Sequence, residues 1–239
     1  MLATLATAGA AATLAAGGYA YAAMWPTSQI FGRTIVGGPD AHEFALTYDD
    51  GPNDPYTHQL LDVLAGHDVR ATFFLIGRFV RQRPEIARAI RAAGHLVGNH
   101  TMTHPVLLFQ SPRRACEELA GCNAAIEDAL GEAVRYFRPP HGARRPDVLR
   151  AARDLGLTPV LWNAMGYDWK PTTAEQVLAN LQKGIRRNQK RGVGSNLLLH
   201  DGGQAGIGQD RSHSVAATDK LLRLTAQQIR FVTVDAWKR

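Results

Sequence analysis

Adjacent carboxylates at Asp49 and Asp50, imidazoles at His100 and His104, the turn Arg138-Pro139-Pro140-His141-Gly142, the pair Asp168-Trp169 and a separate His200 could together do chemistry. Two histidines and one carboxylate make a three-ligand metal site that leaves positions open for water and substrate. A divalent ion held there lowers the pKa of its water toward about 7, which creates a nucleophile near neutral pH. A second carboxylate beside that water takes its proton, and a histidine farther along protonates the leaving group. That is a plan for metal-assisted hydrolysis of an acyl bond.

Each signal is weaker alone. Asp49-Asp50-Gly51-Pro52 also suits a plain turn, because Asp bonds its own backbone and Gly permits the bend. His100-Thr101-Met102-Thr103-His104 is more specific: residues i and i+4 share a helix face, so one helical turn aims both rings at one ion. Nine histidines in the chain leave room for coincidence. His200, after Leu197-Leu198-Leu199, reads equally as a satisfied strand-end histidine, and Arg138 before two prolines as a surface turn. Only the set as a whole, delivered by five strand ends, is specific.

The elements that must carry this set alternate. Apolar runs at Phe44–Tyr48, Ala71–Ile76, His95–Asn99, Val134–Phe137, Thr158–Trp162, Ser195–Leu199 and Phe231–Val234 read as strands. Helical spacing falls near Tyr56–His67, Arg83–Ala93, Ser111–Leu130, Pro146–Leu155, Thr173–Arg191 and Ser212–Ile229. Strands alternating with helices imply parallel βαβ units, closed as a barrel or open as a doubly wound sheet. In both, chemistry sits at the C-terminal strand ends. Five of the expected strands end at, or lead into, the polar residues above.

With 239 residues, the chain suits one domain with a full-sized core. Its 45% hydrophobic and 20% charged residues exclude intrinsic disorder. The net charge of +6 favours acidic partners such as nucleic acid, anionic wall polymers or a membrane surface. The basic residues are dispersed, however. Their densest group, Arg186, Arg187, Lys190 and Arg191, reads as a solvated helix face. No nucleic-acid motif is present, so nucleic acid is not expected as a partner. Cys116 and Cys122 lie on different faces of one helical pattern and imply no disulfide.

The first 32 residues hold no Asp, Glu, Lys or Arg. The bland reading of Leu2–Met24 is a buried or floppy N-terminal extension; the favoured readings are a secretory leader with Ala20-Tyr21-Ala22 as its cleavage site, or a retained anchor. Either predicts an extracytoplasmic protein, with membrane contact through residues 2–24. Residues 24–42 hold several Gly and Pro and read as a linker. The expected division is 1–42 for leader and linker and 43–239 for the catalytic domain.

These residues in this order resemble the polysaccharide deacetylases, that is, carbohydrate esterase family four or the NodB-homology domain. The resemblance runs from about Phe44 to Val234. It rests on Thr47-Tyr48-Asp49-Asp50-Gly51-Pro52, His100 to His104, Arg138 to Gly142, Asp168-Trp169 and Leu198-Leu199-His200. It implies an α/β fold, a distorted (β/α) barrel of about seven strands. It also implies one divalent ion, zinc with cobalt, nickel or manganese as alternatives, held by Asp50, His100 and His104. By the same resemblance Asp49 is the general base and Arg138 holds it ionised and oriented. The His141 N–H stabilises the oxyanion, and His200 is the general acid, oriented by Asp168. Trp169 and Leu198 wall the acetyl pocket. Departures are Tyr48 for Phe, His141 for an aromatic such as Tyr, and Met165 where many members carry an acidic residue. The implied activity is removal of N-acetyl groups from a chitin-like or peptidoglycan-like polymer or oligomer. Alternatives are an O-acetyl polysaccharide esterase, a non-sugar amidase of the superfamily, or an inactive sugar-binding module.

Overall fold

The computed structural model describes residues 16–225 and 228–238. Its strands are β1 (Glu43–Gly51), β2 (Thr72–Leu75), β3 (Leu96–Asn99), β4 (Tyr136–Phe137), β5 (Thr158–Pro159), β6 (Ala164–Met165), β7 (Ser195–His200) and β8 (Arg230–Phe231). Its helices are α1 (Tyr56–Gly66), α2 (Gly77–Gln82), α3 (Pro84–Ala92), α4 (Pro112–Leu130), α5 (Pro146–Asp154), α6 (Ala174–Gln189) and α7 (Ser212–Thr225). The path β5-β4-β3-β2-β1-β7-β6 forms a curled, all-parallel half-barrel, with β8 added beside the start of β1. All nine residues of β1 are buried, as a strand covered on both faces requires. The main core joins Leu46, Tyr48, Phe73 and Leu75 from the sheet to Leu119, Val148 and Leu221 from the helices.

Local chemistry sets the element ends. Ser111 caps α4 by accepting a hydrogen bond from the Arg114 N–H, Pro112 follows in its first turn, and Gly131 closes it in the left-handed region. Thr173 caps α6 in the same way through the Gln176 N–H. The helix expected at Arg83–Ala93 is α3, preceded by the separate α2. The break falls at Arg83, because Pro84 disfavours helical backbone in the residue before it. The last expected strand is shorter than Phe231–Val234, since Val234–Trp237 turns into a 3-10 helix.

β5 and β6 do not pair, so the sheet is open there. Side chains bridge the gap. Asn196 on β7 donates to the Leu161 carbonyl at 2.6 Å, and the Asn163 side chain accepts from the Asn196 N–H at 2.9 Å and donates to Gly194.

The exported or anchored reading of the N-terminus is not supported. Residues 1–15 lie outside the described residues. Residues 16–24 form a helix whose end is built into the fold. Ala22 and Ala23 are buried, and the buried Arg144 guanidinium donates to the carbonyls of Trp25 and Ser28 at 2.8 Å. Cleavage beside Ala22 would cut a packed helix. Among the described residues no helix is long and apolar enough to cross a membrane.

Candidate active site

Asp49 and Asp50 are neighbours on a strand, where successive side chains point to opposite faces. Here the register shifts between Asp49 and Gly51, and Asp50 takes φ 72°. This bulge turns Asp50 so that both carboxylates face one cleft. Gly51 admits no side chain, because a Cβ there would meet the Asp201 carboxylate at 2.3 Å.

His100 and His104 converge too, but not on a helix as their spacing suggests. Residues 100–106 are irregular, with Thr101 and His104 at φ 65° and 63°. Asn99 accepts from the Thr101 N–H at 2.7 Å, and the Thr101 hydroxyl accepts from the His104 N–H at 3.0 Å. From α4, the buried Glu118 accepts from the N–H and the hydroxyl of Thr103, each at 2.7 Å. Nothing in the sequence marked Glu118, which a helix pattern alone assigns no special place.

The result is a compact donor set. One atom each from Asp50, His100 and His104 lies within 4.8 Å of the others. Asp50 Oδ1 is 3.0 Å from His104 Nε2 and 3.4 Å from His100 Nε2, and it is buried without a hydrogen-bond partner. His100 Nδ1 lies 2.8 Å from the Arg138 carbonyl, which accepts a hydrogen bond from Nδ1–H and so leaves the Nε2 lone pair facing Asp50. An orphaned carboxylate oxygen between two imidazole nitrogens fits a divalent cation. Burial pushes the Asp50 carboxyl up, but the flanking imidazoles outweigh it and hold it well below the usual carboxylate range.

Asp49 is paired differently. The fully buried Arg138 donates through Nη1 to Asp49 Oδ1 and to the Thr47 hydroxyl, both at 2.8 Å. Its other terminal nitrogen reaches the Leu161 carbonyl at 3.3 Å and, toward β7, the Asn196 side-chain oxygen at 3.4 Å.

On the opposite wall, His200 Nδ1 is 2.8 Å from Asp168 Oδ1, and Asp168 Oδ2 accepts from the His200 N–H at 2.7 Å. Burial alone would lower the His200 pKa. The Asp168 carboxylate overcomes it, aided by Asp50 and Asp49, and raises it to about 9. The support that Met165 does not give Asp168 comes from α7: the Ser214 hydroxyl donates to Asp168 Oδ2 at 2.7 Å, and His213 bonds its carbonyl. Ser214 was not legible in the sequence as a site residue.

These groups surround one cleft of about 570 Å³. Asp49, Asp50, His100, His104, His141, Trp169, Leu198 and His200 line it, while Arg138 and Asp168 lie buried beneath. His141 sits at φ 58°, with its ring edge-on to His104 at 4.9 Å. Trp169 stands edge-on to His200 at 5.3 Å. Trp162 and the N-terminal residues Met24, Trp25 and Pro26 also reach the cleft, and the sequence analysis singled out none of them for the site. The Gly-rich Asp201–Arg211 segment forms part of the rim, tied down by Asn53, which donates to the carbonyls of Asp201 and Gln209. Asp201 is a further buried acid beside the site. Burial raises its pKa to about 7, although the Thr57 hydroxyl donates to it at 2.5 Å.

Comparison with known proteins places this geometry. The polysaccharide deacetylase family model matches residues 37–160. A chitooligosaccharide deacetylase of Sinorhizobium fredii is 40% identical over 171 residues, 71% of this chain and 75% of that protein. A peptidoglycan-N-acetylglucosamine deacetylase of Bacillus cereus is 35% identical over 194 residues, 80% of this chain and 85% of that one. A crystal structure of a peptidoglycan N-acetylglucosamine deacetylase superposes with TM-score 0.77 at 30% identity, covering 85% of this chain and 91% of the other.

Proposed function

The chain belongs to the polysaccharide deacetylase family, and from that premise we propose that it is a metal-dependent hydrolase removing N-acetyl groups from an N-acetylglucosamine-containing glycan, chitin-like or peptidoglycan-like. The observation that carries this reading is the division of one cleft between an Arg138-paired Asp49, the Asp50–His100–His104 donor set and the His200–Asp168 pair. We assign the catalytic unit to residues 43–239.

Asp50, His100 and His104 would hold the ion, for which two imidazoles and a carboxylate favour zinc. When bound, such an ion supplies Lewis acidity toward the acetyl carbonyl and acidifies a water. The chain's own groups do the rest. Asp49, oriented by Arg138, takes the proton of the attacking water. The His141 N–H donates to the oxygen that gains charge. His200 enters as imidazolium and delivers its proton to the sugar nitrogen as the C–N bond breaks, giving acetate and a free amine. Asp168 fixes the ring and favours its charged form. Leu198 and Trp169 bound the space for the acetyl methyl.

The test is acetate release from chitooligosaccharides, peptidoglycan and acetylxylan, each with and without chelator. Chelator-sensitive release from an N-acetyl substrate supports the reading. Release from acetylxylan alone would make the protein an O-acetyl esterase, and release indifferent to chelator would remove the metal.

A further inference from the structure

A second cavity of about 580 Å³ abuts the catalytic cleft, and Trp25, Pro26, Trp162 and Met165 form the wall common to both. Its two sides are chemically distinct. One presents aromatic faces: Tyr21 and Trp25 stack on each other with ring centroids 5.9 Å apart, and both remain about half exposed. Exposed aromatic surface of this kind is uncommon without a use. The other side is the face of α6 and its extension that carries Lys183, Arg187 and Arg191, four residues apart.

Among the described residues, no carboxylate lines this cavity and none of the three cations forms an ion pair. Like charges four apart on a helix repel. Arg187 is also tethered, since it donates to the Asn163 carbonyl at the cavity wall. In the wall shared with the catalytic cleft, the buried Trp162 Nε1 has no hydrogen-bond partner among the described residues. Arg186, Arg187, Lys190 and Arg191 are all exposed, as a solvated face requires, but only Arg187 and Arg191 of these four also line the cavity.

We propose that this cavity is a subsite for an acidic sugar: it takes a unit next to the one being deacetylated, stacks its ring on Tyr21 and Trp25, and pairs a carboxylate on it with Lys183, Arg187 and Arg191. The wall shared by the two cavities puts such a unit next to the catalytic cleft, within reach of a neighbouring sugar of the same glycan chain. The charge complementarity selects a carboxylate-bearing glycan over a neutral one. A guanidinium matches a carboxylate with two parallel hydrogen bonds, and a neighbouring aromatic wall strengthens the grip by excluding water. The subsite rests on the deacetylase reading only for the identity of the neighbouring unit.

The test compares a tetramer of N-acetylglucosamine with a tetramer in which alternate sugars carry a 3-O-lactyl carboxylate. Lys183→Glu with Arg191→Glu reverses two exposed charges, and Lys183→Gln with Arg191→Gln guards against misfolding of the first. Calorimetric binding to metal-free protein is measured beside acetate-release kinetics. In the charge-reversed variant, binding of the acidic tetramer should weaken about ten-fold, with the neutral one changed less than about two-fold. Wild-type preference for the acidic tetramer should shrink as salt is raised. If wild type released no acetate from either tetramer but kept charge-selective binding, the subsite would stand and the deacetylase reading would fall. Equal weakening of both tetramers, or no change in either, would overturn the subsite.

Discussion

On the β1–β3 wall of the cleft, Asp50, Thr101 and His104 reach their positions through left-handed backbone, whereas on the β7 wall His200 is aimed by two hydrogen bonds to the Asp168 carboxylate, one from its backbone N–H and one at its ring. On the β7 wall only Tyr167, before Asp168, is left-handed. The first wall stores strain, of order 1–3 kcal/mol for a residue held in a sparsely populated region. Asp and His tolerate that region better than most residues, but Thr101 is β-branched and does not. Asn99, Glu118 and the Thr101 hydroxyl offset the strain. The second wall stores charge instead: a buried carboxylate holds a buried imidazole protonated. A metal site needs ligand positions fixed to a fraction of an ångström, and backbone geometry supplies that. An acid needs the right pKa, and a neighbouring carboxylate supplies it.

Substitutions on the two walls should therefore fail differently. The largest effect is expected at Asp49 and Asp50, which separate chemistry from metal binding. Asp49→Asn should lower turnover about a hundred- to ten-thousand-fold with metal content near wild type. Asp50→Asn should lose the metal as well, and elemental analysis after dialysis reads the difference. Equal metal loss in both would reverse our assignment of base and ligand.

A smaller loss is expected at Glu118. It touches no substrate, yet it holds Thr103 inside the ligand segment. Glu118→Gln should weaken metal affinity about ten- to a hundred-fold, as loss of outer supports commonly does. Titration with a fluorescent chelator would measure it. Unchanged affinity would mean that strain alone, without this brace, fixes the histidines.

The β7 wall should respond in pH. His200 is raised to about 9 because Asp168 favours its charged form. The acid form is present below that value and lost as pH rises through it. Asp168→Asn removes the largest raising influence and leaves burial, which lowers the pKa, opposed only by Asp50 and Asp49. The fraction of acid should then fall at much lower pH, and NMR titration of the His200 ring in metal-free protein would follow the shift. An unmoved titration would show that Asp49 and Asp50 hold the charge. Ser214→Ala, smaller still, removes one hydrogen bond to Asp168 and should cost about 1 kcal/mol, roughly five-fold in rate.

The sequence made most of the frame legible and less of its closure. Long apolar runs such as those of β1 and β7 announce themselves, because burial on both faces leaves no polar break. β6 spans only Ala164–Met165, too short for any period, and its place is held by pairing with β7 and by the Asn163 side chain on the Asn196 N–H. Nine of the ten candidate residues, all but Leu198, stand out as polar or aromatic groups following strands; Leu198 lies inside a strand and enters only through the family resemblance. The reason offered for His100 and His104 was wrong: a helical turn was expected, and positive φ does the work. Glu118 and Ser214 were hidden because each sits in a helix whose pattern gives no hint of what the next element brings against it. The N-terminal segment misled for a related reason. Ala and Gly are apolar enough to suggest a leader, and their small size equally suits close packing, as Ala22 and Ala23 display.

The division of labour itself is tested most directly at His200. An amide nitrogen leaves only when protonated, while an activated ester leaves without help, so His200→Ala should separate the two substrates. We predict that the variant keeps its metal and its melting temperature, loses about a hundred- to ten-thousand-fold of its rate on an N-acetyl oligosaccharide, and loses far less on an activated acetyl ester. Equal losses on both substrates, together with a lowered melting temperature, would make His200 a packing residue of the strand end and contradict the account.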